Sequence, residues 1–86
     1  MEDLIKTVDE ALRESFPGAV TELELVPPLD KVTGFIYWHG FEGKEQLDRQ
    51  GLVWKALRKK LNKPQQRRVS AIFTLTPEEV SLMRSR

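Results

Sequence analysis

The stretch F41-E-G-K-E-Q-L-D-R-Q-G-L-V-W-K-A-L-R-K-K-L61 decides the fold. It reads as a glycine-bearing turn, with Gly40 and Gly43, running into a long helix. At about 100° per residue, Leu47, Val53, Trp54, Leu57 and Leu61 fall within one arc and predict a buried face. Gln50 falls inside the same arc, so it needs a hydrogen-bond partner or an exposed end. Lys55, Arg58, Lys59 and Lys60 fall on the opposite, solvent side. Gly51 in mid-helix costs roughly 1 kcal/mol against alanine, and is either tolerated or admits a close neighbour.

Upstream, residues 3–16 have the apolar spacing of an amphipathic helix, with Leu4, Val8 and Leu12 at its centre and Asp3 as N-cap. Pro17-Gly18 stops it. Residues 20–26 alternate as a half-buried strand, with Thr21, Leu23 and Leu25 on one face and Glu22 and Glu24 on the other. After Pro27-Pro28 and a short connection, residues 32–39 predict a second strand, rich in aromatic and β-branched residues. The short link predicts antiparallel pairing. Of its large side chains, Trp38 and Ile36 are expected under the helices and Phe35 and Tyr37 on the other face.

Downstream, Asn62-Lys63-Pro64 ends the long helix and Gln65 to Arg68 reads as a polar connector. Residues 68–75 predict a third strand with Val69, Ala71, Phe73 and Leu75 on one face. Thr76, Pro77 and Glu79 form a capping box for a short last helix. The expected fold is α+β, in the order α-β-β-α-β-α, with a three-stranded mixed sheet and helices packed on one face. Eighty-six residues make this a single domain, 1–86.

Composition narrows the function classes. Apolar content of 40% and charged content of 31% fit a soluble globular chain. The absence of cysteine removes disulfides, thiolate metal sites and cysteine nucleophiles, and is compatible with a reducing cytoplasm. No apolar run approaches the roughly 18 residues of a membrane span. The N-terminus is acidic and amphipathic, unlike a secretory signal. Charge is uneven: residues 1–54 carry 5 Lys/Arg against 11 Asp/Glu, and residues 55–86 carry 9 against 2. That asymmetry hints at an anionic partner, although folding can spread it over one surface.

Enzyme motifs are absent: there is no phosphate loop, no paired histidine on a helix and no Ser-His-Asp set. His39 is the single histidine and the weak candidate for a metal ligand, since a metal site needs several convergent ligands. Gly40-Phe41-Glu42-Gly43 has the GxxG spacing with which KH domains approach nucleic-acid backbone. Glu42 repels phosphate and the pattern follows a strand, which favours a turn with Phe41 packed inward.

The collinear set Phe41, Gly43, Lys44, Arg49, Leu52 and Val53, followed by Val69, Ala71, Thr76, Pro77 and Glu79, resembles BolA-like proteins. The resemblance covers most of the chain. It implies a fold related to class II KH topology, partners among monothiol glutaredoxins, iron–sulfur or iron-regulatory roles, and DNA binding for some members. Two family histidines are replaced, by Gln50 on the helix and Ser70 on the last strand. The loop that often brings a further ligand is reduced to Pro27–Val32. The expected role is therefore a non-enzymatic adaptor of BolA-like type, without cofactor or iron–sulfur ligands, binding a protein partner as a monomer or weak dimer. The alternative is a KH-like nucleic-acid binder. The candidate surface comprises Gly40, Phe41, Gly43, Lys44, Lys55, Arg58, Lys59, Arg67 and Arg68, with Arg84 and Arg86 as outlying cations.

Overall fold

The apolar stripe near the N-terminus folds as α1 (Leu4–Ser15) in a computed structural model that describes residues 3–84. The Asp3 carboxylate accepts from the Lys6 backbone N–H at 3.1 Å, satisfying one of the donors a helix start leaves open. Leu4, Val8, Ala11 and Leu12 turn inward. Gly18 then adopts φ 84°, the left-handed region that glycine enters without a Cβ clash.

β1 (Val20–Val26) and β2 (Lys31–Tyr37) form an antiparallel hairpin, from Val20 opposite Tyr37 to Val26 opposite Lys31. Its turn contains a cis Pro27-Pro28 bond and Asp30 at φ 51°. β3 (Val69–Leu75) lies parallel to β2, so the sheet order is β1-β2-β3 and the sheet is mixed. A parallel neighbour requires a crossover. Here it consists of a 3-10 turn (His39–Phe41), α2 (Gln46–Lys60) and a short helix α3 (Lys63–Arg67). α4 (Pro77–Arg84) follows β3. The core joins α1 and α2 to Val32, Ile36, Val69 and Ile72 of the sheet, leaving the other sheet face open.

Four details differ from the sequence reading. The connector at 65–68 is largely helical: Asn62 and Gln65 exchange backbone and side-chain bonds in a capping box, with Pro64 in the first turn. His39 lies in the 3-10 turn rather than on the strand. The faces of β3 invert after its start, because the register slips between Val32 and Thr33 and Ser70 is the extra residue. Val69 is buried, but beyond the bulge Ile72 and Thr74 face the helices and Phe73 is 53% exposed. On the open face Phe73 meets Phe35, which stacks on Tyr37.

The fourth correction concerns α2. Leu47 is 83% exposed, while Arg49 joins Val53, Ala56 and Leu57 inside. Gln46, itself exposed, reaches Thr74 from the first turn, its side-chain oxygen accepting from the Thr74 hydroxyl. Gln50 is half-buried and donates to the Ile72 carbonyl at 2.8 Å, the partner its position demands. Gly51 is exposed, and a Cβ there meets nothing within 4 Å. Gly51→Ala should therefore stabilise the domain by about 1 kcal/mol, raising Tm by roughly 4–8 °C in thermal unfolding.

Candidate functional site

The turn after β2 is built from aromatic packing. Trp38, Phe16 and Phe41 form a three-ring cluster with centroids 4.9–5.4 Å apart. The Trp38 indole N–H donates to the Pro17 carbonyl at 2.9 Å, tying the turn to the end of α1. The indole lies so close to Gly40 that a Cβ there would sit 2.3 Å from ring carbons. Gly43 is at φ 78°. Both glycines of the GxxG spacing thus have local reasons to be glycine. The amides of Phe41, Glu42 and Lys44 donate to the carbonyls of Trp38, His39 and Phe41, so the turn's own hydrogen bonds use them.

Phe41, counted among the surface candidates, is fully buried. Its ring belongs to the core because Phe16, Trp38 and the Arg49 guanidinium enclose it, the last at 5.9 Å from the ring centroid. Gly43 and Lys44 remain exposed, as do Lys55, Arg58 and Lys59 along α2. Lys55 and Lys59 border a shallow groove with Glu14, Phe16, Leu52 and Ala56, where the end of α1 crosses α2. Lys60 pairs with Glu14 at 3.0 Å.

Arg67 and Arg68 do not join this surface. They precede β3, which runs parallel to β2, whereas the 40–44 turn follows β2. The length of a seven-residue strand, roughly 20 Å, separates them. There the Arg68 guanidinium donates to the Asp30 carbonyl at 3.3 Å, and Lys31 donates to the Arg67 carbonyl at 3.1 Å. Arg84 belongs to the other end of the sheet, where it faces Tyr37. Arg86 lies outside the described residues.

Two features escape the sequence reading. The first is a polar clamp centred on Arg49. Its Nε donates to the Lys44 carbonyl at 2.9 Å, and its Nη1 donates to the Thr74 carbonyl at 3.3 Å and to Glu79 at 2.7 Å. One guanidinium therefore joins the turn, β3 and α4. The Arg49 hydrogen bond, aided by the Thr76 backbone N–H, holds the Glu79 carboxyl below the usual carboxylate range.

The second is a groove beside Ser70. The bulged serine faces Val26, Pro27, Pro28 and Leu29 of the hairpin turn, with Lys31 and Thr33 alongside. Leu29 is 72% exposed. This is the position at which the family resemblance implies a metal-cluster ligand. The donor set does not fit one: it offers hydroxyls, an ammonium and apolar side chains, with no imidazole or thiolate. Among the described residues no three His, Cys, Asp or Glu side chains are grouped to hold a metal ion. None of the described helices is long and apolar enough to cross a membrane.

No protein-family model matches the chain, and no curated protein matches it by sequence. Solved structures do. BolA1 from Arabidopsis thaliana superposes with a TM-score of 0.70 at 24% identity, over 92% of this chain and 98% of that one. A bol-like protein from Babesia bovis gives a TM-score of 0.70 at 25% identity, over 98% and 95%. The shared α+β fold and these two structures give the chain a BolA-like fold, and the collinear residues from Phe41 to Glu79 resemble the BolA-like family, with Gln50 and Ser70 where that family carries histidines.

Proposed function

We propose that this chain is a non-enzymatic cytoplasmic adaptor that binds a protein partner through the hairpin turn and the groove beside Ser70, without holding a cluster of its own. The observation that supports it is chemical. Where the family resemblance implies metal ligands, this chain has an exposed leucine, two prolines and a serine. Such a surface contributes affinity by burying apolar area against another protein. The family resemblance makes a monothiol glutaredoxin the first partner to test.

The test is an amide-resonance titration of the labelled chain with a monothiol glutaredoxin. The expected result is shifts over residues 25–31 and 69–71. Leu29→Asp should weaken binding at least tenfold with Tm unchanged, because the side chain is already in water and its burial against a partner is lost. Wild-type affinity in the Leu29→Asp variant would overturn the assignment of the groove. A visible-absorbing cluster that requires this chain would overturn the absence of ligation.

A second reading rests on the outer face of α2. Lys55, Arg58 and Lys59 are exposed and, unlike Lys60, have no carboxylate within ion-pair distance among the described residues. Such cations can meet phosphates. Shifts along Lys55–Lys59 with a single-stranded oligonucleotide, falling with a log–log salt slope of about −0.7 per phosphate neutralised, would favour it.

A further inference from the structure

The two edges of the sheet are treated differently by the fold. On β3 the carbonyls of Ala71 and Leu75 face β2, where they accept from Thr33 Oγ1 and the Trp38 N–H. By alternation those of Ile72 and Thr74 face outward. Both are occupied by α2: Gln50 donates to Ile72, and Gln46 and Arg49 donate to Thr74 at 3.4 and 3.3 Å. Three helix side chains therefore close that edge. β1 has no such cover. It is the other outer strand, seven residues long, and alternate N–H and C=O groups along it have no strand partner.

The chemistry around the β1 edge is acidic on one side and mixed on the other. Glu22 and Glu24 project from the open sheet face, two residues apart and so roughly 7 Å along the strand. Glu22 lies beside the Tyr37 hydroxyl. Glu24 has no counter-ion among the described residues. On the helix side a groove runs beside β1, with Ile5 and Leu23 as its apolar floor and Asp9 occupied by Thr21 and Arg13.

We infer that the β1 edge accepts an extended peptide segment as an added strand, with basic residues alternating with apolar ones. Period-two side chains would set the basic positions over Glu22 and Glu24 and the apolar positions toward Ile5 and Leu23. The same charges disfavour a second copy. Antiparallel pairing of two β1 strands about Leu23 would place each Glu22 opposite a Glu24, and like charges directly opposed destabilise a ladder. This surface meets the Ser70 groove only at Val26, the last residue of β1.

The test uses the intact labelled chain and the heptapeptide acetyl-Val-Lys-Val-Arg-Val-Lys-Val-amide. Its companions are two versions N-methylated at alternate residues in opposite phase, and one with glutamate at each basic position. The expected result is shifts over Val20–Val26 and at least tenfold slower hydrogen exchange at the outward amides of β1. One N-methyl phase should lose affinity at least tenfold while the other retains it, since an added strand bonds through one edge only. Glu22→Gln with Glu24→Gln should weaken the basic peptide at least tenfold, and the glutamate peptide should not bind. Equal binding by both N-methyl phases would mean ionic attraction alone and overturn the proposal. Shifts confined to α2 would also overturn it. Protection of the same amides that rises with protein concentration and needs no peptide would assign the edge to a second copy instead.

Discussion

Gly34→Ala is expected to destabilise the domain by about 3 kcal/mol, lowering Tm by roughly 12 °C or more. Gly34 lies opposite Leu23 in the hairpin, where β1 passes unusually close. A Cβ on Gly34 would sit 2.0 Å from the Glu22 carbonyl oxygen and 2.9 Å from the Leu23 Cα. These are backbone atoms, so no side-chain rotation relieves the clash. The strand must move, and moving it breaks pairing on both sides of Leu23. The same substitution at Gly51 is predicted to stabilise, because its Cβ points into open space. The pair thus isolates steric cost from helix propensity. Thermal unfolding of both variants, with amide exchange across Val20–Val26, is the measurement. A Gly34→Ala domain melting within about 2 °C of wild type would mean that the two strands separate at little cost.

The contrast between those glycines shows what sequence carries and what it does not. Helix and strand identity rest on local periodicity and caps, so α1, β1 and α4 are legible to within a residue or so, and α2 at its C-terminal end. The close approach behind Gly34 depends on how the hairpin twists, which no local pattern records. The faces of β3 misread for a related reason. Apolar alternation from Val69 to Leu75 is regular, but one extra residue at Ser70 shifts the parity of every side chain after it. The helical wheel of α2 fails at Leu47 and Arg49 because it assumes that the inward face meets only apolar neighbours. Part of that face meets the carbonyl edge of β3, where a guanidinium and two amides are the better complements.

The candidate surface fared similarly. Replacement of the expected ligands by Gln50 and Ser70 is visible in the letters alone. That Pro27, Pro28 and Leu29 share a groove with Ser70 is not, because the contact spans some forty residues and depends on the sheet. The exposure of Lys55, Arg58 and Lys59 is legible, since solvent-side positions of an amphipathic helix are cheap to assign. Their distance from Arg67 and Arg68 follows only from the parallel pairing of β2 with β3.

Arg49→Ala should cost about 2–4 kcal/mol, because it removes the donor shared by three parts of the chain. The guanidinium is 6% exposed, and its loss leaves the Lys44 and Thr74 carbonyls short of a donor and Glu79 without its cation. Gln46 still reaches Thr74, which places the cost below that of a fully orphaned cluster. Arg49→Lys keeps a charge but not the planar fork, and an ammonium cannot meet all three oxygens in one geometry, so it should recover less than half the loss. Acid unfolding supplies the independent check. Glu79 has a depressed pKa in the folded state, so its contribution is fully present above its unfolded value near 4.5 and is lost as pH falls through the folded value. Wild-type stability should therefore decline below about pH 4.5, and Arg49→Ala should decline less steeply over the same interval, the Thr76 backbone N–H still donating to the Glu79 carboxylate. Parallel acid limbs for the two proteins would mean that the Arg49–Glu79 pair is formed but energetically idle, and that α4 is held to β3 by its capping box alone.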